Sequence, residues 1–336
     1  MSETAYHSAN REETMRRWLV TIIVLLGLVA AACGRAPRPT VQSPVGGEAV
    51  TGVAASRLVV VASLPIFASM VKAVGGELVE VSAVMPAGAD PHTYQPTPRD
   101  VATLAEAQVV VYNGGELDPW MERQLEAVGS KAKVIVLSEG LKPPEGVAVE
   151  EEHVLGTPEP EHDQEHGINP HFWLDPDFAV IYIERITAGL VEADPAHAEI
   201  YRANAARYID EIRNFDAWAK EQIATIPPER RKLVTFHDAF PYFAAHYGLE
   251  LVGVVVLSPG REPSPQEVAQ LVARIRAEGV PAIFVEPQFN PKLAQTIAQE
   301  AGVRVLELYS DAAPAGMDYL GMMRQNVTNV VEGLRG

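Results

Sequence analysis

The chain has 336 residues, 47% of them hydrophobic, and a formal net charge of −17 at pH 7. That apolar content suffices for a sizeable core and excludes an acidic disordered chain, and the length is that of about two domains. The acidic balance speaks against nucleic acid as a partner.

Residues 1–32 read as a signal peptide, with Met15 the likelier start. From there the chain runs MRRWLVTIIVLLGLVAAACGR: Arg16 and Arg17, an apolar stretch from Trp18 to Val29, then small residues up to Cys33. This is the order of a secretory signal. The apolar run is short beside the roughly 20 residues of a spanning helix; the alternative is an uncleaved membrane anchor. Cys33 is the only cysteine, which excludes an internal disulfide and Cys-based zinc sites. VAAAC resembles a bacterial lipobox, with Ala30 where that pattern usually has Leu. The resemblance implies cleavage before Cys33 and lipid attachment there. Within 1–32, Arg11, Arg16 and Arg17 balance Glu3, Glu12 and Glu13, so the mature chain keeps its charge. Lipidated Cys33 and the Pro-, Gly- and Ser-rich residues to 55 form a flexible tether.

Apolar, β-branched runs at 57–63, 78–84, 107–113 and 133–138 are followed by turns and usually by helical periodicity, as in PIFASMVKAVGG. Strands alternating with helices predict a parallel sheet. Residues 151–168, EEHVLGTPEPEHDQEHGI, are charged and without apolar period, hence a surface loop. A helix follows from near Asp175. Residues 193–225 predict a long linking helix, with Tyr201, Ala205, Tyr208, Ile212 and Phe215 at helical spacing and Trp218 and Ile223 continuing the face. About 28 helical residues span about 42 Å. Strands resume at 232–236, 249–257, 282–286 and 303–308. The expected fold is α/β: two (β/α) lobes, 56–192 and 226–336, each with a four-stranded mainly parallel sheet, joined by one long rigid helix.

Nine histidines are present. His7 falls in the removed segment, and His197 and His246 read as surface or packing residues. A lone histidine such as His92 fits either a satisfied loop residue or a ligand. His92, His237 and Asp311 lie beyond the ends of expected parallel strands, where open α/β sheets place ligands. His171 stands at the mouth of the helix from Asp175. Three imidazoles and a carboxylate suit a tetrahedral Zn²⁺ site, whereas Ca²⁺ or Mg²⁺ wants oxygens. The four are far apart in sequence, so spacing alone is weak evidence.

Other residues keep two readings. Glu286 is a substitute oxygen ligand or a hydrogen-bonding neighbour. Asp90 is the scaffold of the His92 loop or an acceptor for its ring N–H. His153, His162 and His166 are a weak collecting site for Zn²⁺ or incidental residues of a solvated loop. Asp238 orients a ligand or caps the next helix, and its residue type favours the cap. Trp120, Trp173 and the FPYF aromatics read as core.

The stretches LPIFASMVKAVGG, MPAGADPHTYQPTPRD, YNGGELDPWM, NPHFWLDP, TFHDAFPYFAAHYGLE, SPGREPSPQEVAQLV and FVEPQFNPK occur in this order across residues 56–336. Together they resemble the zinc/manganese solute-binding proteins of bacterial ABC importers (cluster A-I type). The resemblance implies that His92, His171, His237 and Asp311 are metal ligands. His237 stands where manganese members often carry Glu, which favours Zn²⁺, with Mn²⁺ or both metals as the alternative. It further implies a monomeric, membrane-anchored lipoprotein outside the cytoplasm, at the cell surface or in the periplasm. Such a protein is not an enzyme: it captures Zn²⁺ between its lobes and delivers it to an ABC permease. Some members are linked to surface attachment. The rival from another class is a zinc-dependent hydrolase built on the three histidines with Glu286 as base, which requires an open coordination position.

Overall fold

The structure, a computed structural model, describes residues 57–145, 147, 168–256 and 259–335. The signal segment, Cys33, the tether, and His153, His162 and His166 lie outside the described residues.

In the first half the chain forms β1 (Leu58–Ala62), α1 (Pro65–Gly75), β2 (Val79–Ala83), α2 (Pro98–Glu106), β3 (Val109–Tyr112), α3 (Pro119–Ala127) and β4 (Lys133–Val136). All pairings are parallel, in the order β2-β1-β3-β4. After α4 (Pro176–Ala193) and α5 (Ala198–Ala224) come β5 (Lys232–Thr235), α6 (Pro241–Tyr247), β6 (Glu250–Val254), α7 (Pro265–Glu278), β7 (Ala282–Val285), α8 (Lys292–Ala301), β8 (Arg304–Glu307) and α9 (Tyr319–Arg335). They repeat the arrangement as a parallel sheet of order β6-β5-β7-β8. The inner strands VVVY and AIFV are buried at every residue. Helices cover both faces, so such strands need no polar alternation.

The helix starts follow from sequence chemistry. Proline occupies the first turn of α1, α2, α3, α4, α6 and α7, where its missing N–H costs nothing. Thr97 with Asp100, and Ser264 with Glu267, close reciprocal capping boxes on α2 and α7.

The long helix is present but shorter than expected. Pro195 follows Asp194, and Pro195–His197 forms a 3-10 turn before the regular helix begins at Ala198. Tyr201, Ala205, Tyr208, Ile212, Phe215 and Ile223 are buried along it, on the face the spacing predicts. Trp218 is only partly buried, under the Arg324 guanidinium at 5.1 Å. One apolar core runs from Val60 and Val109 of the first sheet, past Tyr208 and Phe215, to Leu233 and Phe284 of the second. A spine embedded in a shared core resists wide opening. Helix α4 lies close on β4 because Gly189 leaves room for the Ile135 side chain.

Candidate metal centre

Two histidines are presented by the same three-residue device. In Asp90-Pro91-His92, Asp90 Oδ1 accepts the His92 N–H at 3.0 Å; in Asn169-Pro170-His171, Asn169 Oδ1 accepts the His171 N–H at 3.1 Å. A short polar side chain closing onto the N–H two residues later makes an Asx turn. Asp90 Oδ2 also accepts the Thr93 hydroxyl at 2.7 Å. Both carboxylate oxygens of Asp90 are thus engaged within its own loop. The His92 turn follows β2. The His171 turn runs through the 3-10 turn Phe172–Leu174 into α4.

The second sheet supplies the remaining groups at the carboxyl ends of its strands. His237 lies just beyond β5, Glu286 directly follows β7, and Asp311 follows β8. Strands β5 and β7 are neighbours although β6 lies between them in the chain. This is the switch point where open α/β sheets form a crevice.

His92, His171, His237 and Asp311 converge there. His171 Nε2 is 3.2 Å from Asp311 Oδ1, while His237 Nε2 and His92 Nε2 are 3.5 and 3.7 Å from Asp311 Oδ2. The Nε2 atoms of His171 and His237 are 3.4 Å apart. Four donors around a cation at about 2.0–2.1 Å stand about 3.3–3.4 Å from one another. His92 Nε2 and both Asp311 oxygens are buried without a hydrogen-bond partner. Buried polar atoms are ordinarily satisfied, so this group is shaped for something positively charged. The side chain of His92 is 17% exposed, against 2% or less for the other three. His92 is thus the group nearest solvent.

Two histidines have their remote nitrogens engaged. His171 Nδ1 is 2.8 Å from Asn169 Oδ1, an acceptor that suits a proton on Nδ1 and turns Nε2 toward the centre. His237 Nδ1 touches Glu286 Oε1, which also accepts the Ser310 hydroxyl at 2.9 Å. Burial alone would lower the His237 pKa, but the Glu286 carboxylate overrides it, and the pKa rises to about 9. Burial pushes His92 down to about 3 and keeps it neutral. Burial would raise Asp311, yet His171, His237 and His92 hold it well below the usual carboxylate range. The centre therefore carries an anionic acceptor and a neutral outer imidazole.

A family model for the periplasmic zinc-uptake complex component A, ZnuA, matches residues 60–333. The chain belongs to this family. The manganese-binding lipoprotein MntA of Halalkalibacterium halodurans is 31% identical over 93% of this chain and 97% of its own. The manganese ABC transporter substrate-binding lipoprotein PsaA of Streptococcus anginosus is 28% identical, over 94% and 97%. Among solved structures, the periplasmic zinc-binding protein TroA of Treponema pallidum matches with a TM-score of 0.72 at 27% identity, covering 84% of this chain and all of that one. The protein is accordingly a metal-binding, extracytoplasmic solute-binding component of an ABC importer and not an enzyme. This overturns the hydrolase reading. No helix among the described residues is long and apolar enough to cross a membrane.

Two expectations need correction. Asp238 does not cap α6, which starts at Pro241 after Phe240 without a side-chain cap. Instead Asn169 Nδ2 donates to the Asp238 carbonyl at 2.7 Å, which bridges the His171 and His237 segments. His246 is no plain packing residue: Nδ1 meets Asp175 at 2.8 Å and Nε2 meets Asp216 at 2.8 Å. Trp173 is core as expected, yet its ring also lies 5.2 Å from that of His171. Sequence reasoning missed Asn169 and Ser310. The Asn-Pro-His repetition of Asp-Pro-His was the available signal for Asn169; Ser310 had none.

Proposed function

We propose that the protein is a lipid-tethered receptor that captures Zn²⁺ between its lobes through His92, His171, His237 and Asp311, and delivers it to an ABC permease. The carrying observation is the convergence of three imidazole Nε2 atoms and the Asp311 carboxylate at near-tetrahedral spacing, with His92 Nε2 and both Asp311 oxygens buried and unpartnered. Three imidazole nitrogens and one carboxylate match the preference of Zn²⁺. Glu286 acts through His237, orienting the ring and raising its basicity. Cys33 is the lipid attachment point, and the protein works as a monomer.

Manganese remains the second reading, for a specific reason. Both Asp311 oxygens face histidine nitrogens and neither is hydrogen-bonded. A bidentate carboxylate would raise the coordination number toward what Mn²⁺ accepts, and MntA and PsaA are named for manganese.

The test is calorimetric titration of metal-stripped protein with Zn²⁺ and with Mn²⁺, repeated on His237→Ala. Tight 1:1 zinc binding that collapses in the variant supports the proposal. Tighter Mn²⁺ binding moves the cargo to manganese, and no tight binding of either overturns the metal-receptor reading. A weaker zinc event surviving in the variant assigns a collecting role to His153, His162 and His166.

A further inference from the structure

Both Asx turns share a further feature. In each, the carbonyl of the proline before the histidine is bonded by a side chain from one short segment. Trp120 Nε1 donates to the Pro91 carbonyl at 3.1 Å, and Asn113 Nδ2 donates to the Pro170 carbonyl at 3.1 Å. The Phe172 N–H also reaches the Pro170 oxygen, at 3.0 Å. A peptide unit is planar and rigid, so holding its C=O and its N–H fixes the direction in which the next side chain leaves. The Pro91–His92 peptide is held at the nitrogen by Asp90 and at the oxygen by Trp120. The Pro170–His171 peptide is held the same way by Asn169 and Asn113.

Asn113 and Trp120 are themselves fixed. Asn113 and Asp118 are fully buried, and Trp120 nearly so. Asp118 accepts the N–H groups of Asn113 and Gly114 at 3.0 and 2.8 Å. This closes a tight loop through Gly114 and Gly115, both at positive φ. The Tyr182 hydroxyl donates to Asn113 Oδ1 at 2.5 Å. The loop follows β3, beside β1, at the switch point of the first sheet. A ligand position in the fold is here filled by scaffold.

We propose that residues 113–120 form one positioning bracket that sets the aim of both first-lobe histidines, with Trp120 the positioning residue for His92 and Asn113 for His171. This rests on the reading of His92 and His171 as metal ligands. Trp120 matters more for selectivity, because His92 is the outermost donor, its side chain 17% exposed against 2% or less for the other three. A freed His92 relaxes the tetrahedral arrangement, and cations that tolerate other geometries then suffer less.

The test is a double-mutant cycle on purified protein with Trp120→Phe and His92→Ala, using zinc titration and the visible absorption of bound Co²⁺. Trp120→Phe keeps an aromatic ring but removes the N–H. Expected is a zinc affinity about tenfold weaker, in the range of neighbouring-shell losses. The Co²⁺ bands should lose intensity, and the zinc-over-manganese ratio should fall. In the His92→Ala background the same substitution should change affinity less than twofold, because Trp120 acts through His92. Asn113→Ala supplies the parallel measurement through His171. Equal losses in both backgrounds, or unchanged Co²⁺ bands with only a lowered melting temperature, would overturn the bracket and leave Trp120 as core. If His92→Ala alone leaves zinc affinity and Co²⁺ bands unchanged, the ligand reading fails first.

Discussion

Glu286 stands directly behind His237, its Oε1 against Nδ1, while Nε2 of the same ring faces Asp311 Oδ2 at 3.5 Å. One ring thus joins a buried carboxylate outside the centre to the carboxylate inside it.

With its pKa raised to about 9, His237 is a cation at neutral pH before metal arrives. A metal ion must displace the Nε2 proton, whereas His92 is already neutral. Zinc affinity should therefore fall as pH drops below about 9, by about tenfold per unit while one proton is displaced. Calorimetry at pH 7.5 in buffers of different ionisation heat should report close to one proton released per zinc. No release would contradict the assigned charge on His237.

For the metal-free protein the sign reverses. A histidine raised in the folded state contributes stability that is present below its unfolded pKa of about 6.5 and lost as pH climbs through about 9. Thermal unfolding of metal-free protein should show a falling melting temperature across this window. Saturating zinc should restore it, by about 4 kcal/mol at a thousandfold excess over the dissociation constant.

Glu286→Gln keeps an acceptor for Ser310 but removes the charge behind His237. Zinc affinity should weaken by about 10–100-fold, and the proton released at pH 7.5 should drop well below one. A variant that binds zinc as the parent does, with the same proton count, would show that Glu286 only packs.

His246 lies between Asp175 and Asp216 and joins α6 to the start of α4 and to the spine. Burial would lower its pKa, but both carboxylates outweigh this and raise it. His246→Ala leaves the buried Asp175 without its counter-charge, while Asp216 keeps Lys220 at 2.7 Å, and the loss should be about 3 kcal/mol by denaturant unfolding. Zinc affinity should change little, since none of these groups reaches the metal centre. The loss should shrink at pH values above the raised pKa of His246, where the parent itself loses the charge.

Gly189→Ala tests the packing of the first lobe away from the centre. An added Cβ would overlap the Ile135 side chain. Overpacking of this kind costs about 1–3 kcal/mol, and zinc affinity of the folded protein should be retained.

Much of this protein is legible in its linear order. Eight apolar β-branched runs, prolines at helix starts, and the repeated spacing of Tyr201, Ala205, Tyr208, Ile212 and Phe215 determined the strands, the helices and the spine. These depend on local sterics and on a 3.6-residue period, which the chain carries within itself. Family words around His92, His171, His237 and Asp311 singled out the four donors, although nothing local says that residues so far apart should meet. Only the tertiary structure decided that the four stand 3.2–3.7 Å from one another where those distances are resolved. It also decided that Asp238 bridges segments rather than capping α6, and that His246 is ion-paired. It alone turned Trp120 and Asn113 toward the two proline carbonyls. The physical reason is one of range. Helix and strand preferences act over a few residues, whereas the hydrogen bonds of Trp120 to Pro91 and Asn113 to Pro170 join positions 29 and 57 residues apart that only the packing of the first lobe brings together.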